Sequence, residues 1–413
     1  MIKLLRLNAY FNPEITAATH LMDDLYEAFF ENDIQCISIS PDPTRGVSEE
    51  VRKEYKNKRY EELNNGYLIA KRFPMFKEGR NPILRALRYF LCSFFQYHEA
   101  IKEEDVDVMF SGSTPPTNGI ISSLVCKKLS KKYGKKVPFI YELQDIFPDS
   151  LVNSKMISEN SITWKVGRKI EDYIYKKADV IIVPSYSMKK NILNKGVSEN
   201  KVEVISNWID LNEVRPIPRN ENILMEKLGL SNDDFIVVYA GNFGEVQGAD
   251  IVLKVAKELK EYKKIKFVIF GGGSGFEDAK KEAKLLENVI INDLLPLKYV
   301  SYVYSLGDVA LITCKPGTGN AGMPSKTWSI MACNTPIIAS FDLDSDLHDV
   351  LEKSNSGICV NPGDLKNLVH QILNVYNDEY HFDNNLRSYV NDIASKEFCV
   401  NKYIDVLLHE NNN

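Results

Sequence analysis

Two clusters in the second half of the chain have residue types and spacing suited to holding an anion. Gly241-Asn242-Phe243-Gly244-Glu245-Val246-Gln247-Gly248 follows the apolar run Phe235 to Ala240 and opens a helical pattern. Glycines at such a turn let the backbone approach a ligand closely, and amides at a helix start point at a group such as a diphosphate. An ordinary strand–helix turn with convenient glycines has the same spacing. Pro324-Ser325-Lys326 opens a second helical pattern after the glycine-rich stretch Pro316 to Gly322. A lysine in the first turn opposes the helix dipole, a placement that an adjacent anion would explain; the alternative is a solvated lysine. Lys315 is the reserve cation of this region.

In the first half the group best placed for acid–base work is Asp145. It follows Val137 to Leu143, which reads as a strand, so it falls where open α/β sheets bind ligands. Pro148 keeps the segment a loop. A carboxylate there could orient a reacting hydroxyl or accept its proton; the plainer reading is a cap on the following turn. Glu142 and Asp149 compete for the role, although strand alternation turns Glu142 to a different side from its neighbours.

Other patterns argue against particular chemistries. Gly271-Gly272-Gly273-Ser274-Gly275 fits neither the dinucleotide nor the P-loop fingerprint, and reads as a tight turn. Asp342, Asp344 and Asp346 alternate after an apolar strand, but as a calcium loop the run fails, because its twelfth position is Lys353. A helix cap with a solvated face is the favoured reading. The histidines show no ligand spacing, so no metal is expected.

The elements that would position these groups alternate in the manner of parallel α/β folds. Apolar runs at Ile2 to Ala9, Gln35 to Ser40, Val106 to Ser111, Val137 to Leu143, Val180 to Val183 and Val202 to Ile205 read as strands. Residues 41 to 66 read as an irregular excursion. The alternation restarts at Phe235 beyond Asn207-Trp208-Ile209-Asp210, Pro216 and Pro218. We therefore expect domains at 1–205 and 206–384, with a helical segment 385–413 that packs back on the first. Residues 79 to 101 set Arg80, Arg85 and Arg88 among Ile83, Leu84, Leu87, Phe90, Leu91, Phe94 and Phe95. That composition suits an interfacial membrane helix, and equally a core helix with a charged outer face.

Composition bounds the rest. The chain has 413 residues, 44% hydrophobic and 26% charged, which suits two globular domains. A net charge of −5 gives no basic excess for duplex nucleic acid. The seven cysteines are scattered and form no C-x-x-C pair, as expected of reduced thiols. With no signal-peptide pattern or apolar stretch of membrane-spanning length, a soluble cytosolic protein is expected.

Taken in order, further motifs carry a resemblance. They are Tyr10-Phe11-Asn12-Pro13-Glu14-x-Thr16-Ala17, Ser113-x-Pro115-Pro116, Glu142-Leu143-Gln144-Asp145-Ile146-Phe147-Pro148-Asp149-Ser150 and Asn207-Trp208-Ile209-Asp210. With them stand the Gly241 to Gly248 loop, Met323-Pro324-Ser325-Lys326-Thr327-Trp328 and Thr335-Pro336-Ile337-Ile338-Ala339. Over nearly its whole length the chain resembles the family 4 retaining glycosyltransferases, and most of all the N-acetylfucosamine transferases of O-antigen and capsule assembly.

The resemblance implies a GT-B fold, with two Rossmann-like doubly wound domains facing across a cleft. It implies retaining transfer from a UDP-sugar to a polyprenyl-diphosphate-linked sugar at the inner face of the cytoplasmic membrane, without a metal cofactor. The donor would meet Gly241, Asn242, Gly244, Gln247, Gly272, Leu295, Gly322, Pro324, Ser325 and Lys326 in the second domain. The acceptor would meet Pro13, Glu14, Thr16, Ser113, Pro115 and Asn118 in the first, with Asp145 and Lys326 as catalytic residues. The chain departs from the broad family in having neutral Asn242 and Gln247 where Arg and Lys grip the diphosphate. Ala321 and Ser329 stand where the family has paired glutamates. Two rivals follow: a UDP-sugar 2-epimerase of the same fold, and a catalytically dead binding partner.

Overall fold

The computed structural model describes residues 1–15, 19–79, 81–153, 156–319, 322–383 and 385–412. The chain divides into two compact units, Met1–Ser206 with Cys399–Asn413, and Asn207–Phe398. Thr16, Arg80 and Ala321 lie outside the described residues.

The first unit is built on an eight-stranded sheet. Its strands are β1 (Ile2–Leu7), β2 (Ile34–Pro41), β3 (Tyr60–Leu63), β4 (Leu68–Phe73), β5 (Val108–Gly112), β6 (Phe139–Glu142), β7 (Val180–Val183) and β8 (Val202–Val204). Their order is β3-β4-β2-β1-β5-β6-β7-β8, parallel except where β3 meets β4. Residues 41 to 66 are thus not wholly irregular: they hold the helix Glu49–Tyr55 and β3. β4 escapes a hydrophobicity reading because Lys71 and Arg72 interrupt it. In the fold both are paired, Lys71 with Glu103 at 2.6 Å and Arg72 with Glu61.

The second unit carries β9 (Phe235–Asn242), β10 (Ile265–Gly272), β11 (Val289–Asp293), β12 (Val309–Thr313), β13 (Ile337–Ser340) and β14 (Gly357–Val360). The order β11-β10-β9-β12-β13-β14 is the dinucleotide-binding order, reversing direction between β9 and β12. Both faces of this parallel sheet are covered, which is why its strands are continuously apolar. In β9, Ile236 and Val238 pack into one core while Val237 and Tyr239 pack into the other.

The segment expected as one terminal helix is two, Leu386–Ala394 and Lys396–Asn412. Ser395 makes the break: it is extended, and its hydroxyl accepts the Phe398 amide at 3.3 Å. The second helix sends Tyr403 into the first unit, edge-on to Phe110.

Candidate active site

Two loops meet at the β9/β12 reversal. Residues 243–249 join β9 to the helix Asp250–Glu258, and residues 314–325 join β12 to the helix Lys326–Ala332. Around them lies a cavity of about 600 Å3, within the range that holds a nucleotide-sized ligand. Gly241, Asn242, Gln247, Leu295, Gly322, Pro324, Ser325 and Lys326 all line it. Gly244 and Gly272 sit just behind that wall. A Cβ at Gly244 would collide with Gln247 Oε1, and one at Gly272 would touch Leu294 at 3.5 Å.

Lys326 is the cation of this cavity. Its Nζ donates to the Ala240 carbonyl at 2.9 Å and stands 4.5 Å from the centre of the Tyr239 ring. Among the described residues no carboxylate pairs with it, and burial pulls its pKa down to about 8. A Cβ at Gly241 would come within 2.6 Å of Nζ, so glycine there is what admits the lysine. Tyr239, which sequence reasoning did not single out, also donates its hydroxyl to Asn242 O at 3.2 Å. Its only sequence signal is an aromatic residue in an aliphatic strand.

The two loops are stitched together. Thr313 Oγ1 donates to Gln247 O at 2.7 Å, and the Lys315 amide donates to Val246 O at 2.9 Å. Gly271 and Gly272 end β10, and Gly273–Gly275 form the supporting turn: a Cβ at Gly273, whose φ is +100°, would collide with Asn242 Oδ1. Among the described residues no group of three or more His, Cys, Asp and Glu could hold a metal ion.

In the first unit a cavity of about 360 Å3 lies at the corresponding β1/β5 reversal. Glu14 and Ser113 line it; Pro13, Pro115 and Asn118 are not among its lining residues. Glu14 accepts the amides of Thr44 and Arg45, each at 2.7 Å. Burial raises its pKa, against the opposing pull of those amides. Asn118 is buried and donates to the carbonyls of Leu7 and Thr114, so it braces the cavity's frame. Asp145 is exposed and borders a separate crevice with Pro116 and Phe147. Of Glu142, Asp145 and Asp149, the one that lines the cavity is Glu142, whose Oε2 accepts Arg6 Nη2 at 2.9 Å. Its Oε1 accepts Gln144 Nε2 at 3.1 Å and the Tyr403 hydroxyl at 3.3 Å.

The helix Pro82–Ala100 of this unit has two faces. Cys92 is buried in the core, with Leu91 and Phe95 packed beside it. Ile83, Leu84, Leu87, Phe90 and Phe94 are exposed, Ile83 by 77% and Phe90 by 68%. Arg88, expected on a charged outer face, is instead buried, donating to Thr44 Oγ1 at 2.8 Å. Arg85 lies 3.5 Å from Glu78.

Comparison with known proteins follows the same division. A family model described as Glycosyltransferase Family 4 matches residues 20–213, and one described as Glycosyl transferases group 1 matches residues 220–396. The chain is 25% identical over 297 residues to the probable glycosyltransferase WbjE of Pseudomonas aeruginosa, covering 71% of this chain and 72% of that protein. It is 24% identical over 298 residues to the putative colanic acid biosynthesis glycosyl transferase WcaI of Escherichia coli strain K12, covering 67% and 72%. Anabaena Alr3699/HepE, solved in complex with UDP, has the same fold, with a TM-score of 0.70 at 13% identity over 99% of this chain and 100% of that one.

Proposed function

The chain belongs to the family 4, group 1 glycosyltransferases, and on that premise we propose that it moves a sugar from UDP to a lipid-linked saccharide with retention at the anomeric carbon. The donor is held by the Asn207–Phe398 unit and the acceptor by the Met1–Ser206 unit. The observation that carries this reading is Lys326, an ammonium held by a carbonyl and an aromatic face beside a nucleotide-sized cavity.

In the transfer the bond from the anomeric carbon to the β-phosphate oxygen breaks and UDP leaves. The acceptor hydroxyl attacks the same face and passes its proton to an oxygen of the departing β-phosphate. Lys326 neutralises the charge that grows on the leaving diphosphate, the kind of term that dominates such reactions. Neutral Asn242 and Gln247 leave it as the main cation on that group, with Lys315 as the reserve. Asp145, exposed beside its own crevice outside the first unit's cavity, is proposed only to orient the acceptor, and the transfer uses no metal.

The likeness to WcaI, a putative colanic acid biosynthesis glycosyl transferase, supports a setting in bacterial surface polysaccharide assembly; the donor proposed for this chain is an amino sugar such as N-acetylfucosamine. The exposed apolar stripe Ile83, Leu87, Phe90 and Phe94 supports docking on the inner face of the cytoplasmic membrane, where a polyprenyl-diphosphate acceptor resides. The test incubates UDP-sugars with and without a lipid-linked acceptor in EDTA. Glycosylated lipid formed only when both are present is the expected result. An epimerised UDP-sugar formed without acceptor, or no turnover at all, would contradict it.

A further inference from the structure

Asp342 lies two residues beyond β13 as the first of the alternating aspartates, and the structure gives it a different task from its neighbours. The helix that follows is capped by Ser345, whose Oγ accepts the His348 amide at 3.4 Å, so the aspartates are not its caps. Asp342 turns back instead. Its Oδ1 accepts the Gly317 amide at 2.9 Å and its Oδ2 accepts the Gly319 amide at 2.7 Å. Gly319 is buried, so its amide has no ready exchange for water if the carboxylate is lost.

The loop so held is a wall of the donor cavity. Thr318, between the two bound amides, lines that cavity, as does Phe341 next to Asp342. On its other side the loop is fastened to the β9 loop, Thr318 Oγ1 donating to Val246 O at 3.2 Å. Asp342 itself does not line the cavity. Space is matched to the bond: a Cβ at Gly319 would fall 2.7 Å from Phe341 Cε1 and 2.9 Å from Asp342 Oδ2.

We propose that Asp342 is a positioning residue for the sugar nucleotide: its two carboxylate oxygens clamp the Gly317–Gly319 loop and so set where Thr318 and Phe341 meet the donor. This rests on the donor-site reading above. A carboxylate suits the task because two divergent amides need two acceptors. Asparagine offers one, and its NH2 would face an N–H.

The test compares wild type, Asp342→Asn and Gly319→Ala in steady-state transfer, with UDP affinity by calorimetry and amide exchange at Gly317 and Gly319. Both variants should raise the donor KM about ten- to a hundredfold, the scale of a lost charge-assisted hydrogen bond. The acceptor KM should hold, and exchange at the two glycines should quicken. A merely structural role would lower the melting temperature and move both KM values together, which would overturn the proposal. So would an unchanged donor KM in folded Asp342→Asn. If that variant does not fold, Gly319→Ala carries the same readouts. Wild type that binds no UDP overturns the donor-site reading itself, a result distinct from wild type that binds UDP as well as Asp342→Asn does.

Discussion

Lys326 Nζ lies 2.9 Å from the carbonyl oxygen of Ala240, the residue where β9 begins to turn into its glycine loop. That bond brings the cation of one loop to the root of the other. It satisfies one ammonium hydrogen and leaves others for a ligand. Lys326→Ala should lower kcat by about two to three orders of magnitude, the effect of losing one preorganised electrostatic donor. Single-turnover rates at saturating donor measure this. Near-normal turnover would move the role to Lys315 or remove it.

The same group predicts a pH dependence. Burial pulls its pKa down to about 8, so the ammonium predominates below that pH and is lost as pH rises through it. A bound diphosphate favours the charged form and raises the pKa. UDP affinity should therefore be flat below pH 8 and fall above it, approaching about tenfold per pH unit, with proton uptake on binding. Calorimetry in buffers of different ionisation enthalpy reads both. A flat affinity from pH 7 to 9.5 in wild type would show that Lys326 does not touch the diphosphate.

The Arg6–Glu142 pair should be costly to break. Its side chains are 5% and 8% exposed, so removing one partner strands a buried charge. Glu142→Ala should destabilise the first unit by about 3–5 kcal/mol, and Arg6→Met with Glu142→Leu should recover most of that. Urea unfolding followed by a probe in residues 1–206 is the measurement. A single-variant loss under about 1 kcal/mol would show that the pair is solvated.

Membrane docking should depend on the apolar stripe. Ile83, Leu87 and Phe90 are exposed, so replacing all three by serine should leave the melting temperature unchanged. Vesicle binding should fall at least about tenfold, each buried aliphatic or aromatic group being worth about 1.5–3 kcal/mol. Arg88→Glu should instead destabilise the unit through its buried site. Sedimentation with anionic vesicles separates the two, and undiminished binding of the triple variant would end the docking proposal.

What the sequence discloses follows from the range over which each signal acts. Apart from β3 and β4, the strands are legible because a parallel strand covered on both faces must be apolar throughout, as Ile236 to Tyr239 are. The donor loops are legible because glycine spacing is local. Long-range partners are not. Arg88 reads as a surface charge until Thr44, 44 residues earlier, is folded against it. Asp342 reads as a cap because its partners Gly317 and Gly319 lie 25 and 23 residues back. Glu142 lines the first unit's cavity with Arg6, 136 residues away, as its partner, and no local pattern announces that pair.

The central claim is that the second unit, through the loops at β9 and β12, holds the nucleotide. Photo-crosslinking with a UDP analogue followed by peptide mapping tests it most directly. Saturable labelling of peptides covering residues 240–248 and 313–328, blocked by excess UDP, is the predicted result. Labelling confined to residues 1–206, or labelling that UDP does not displace, would contradict it.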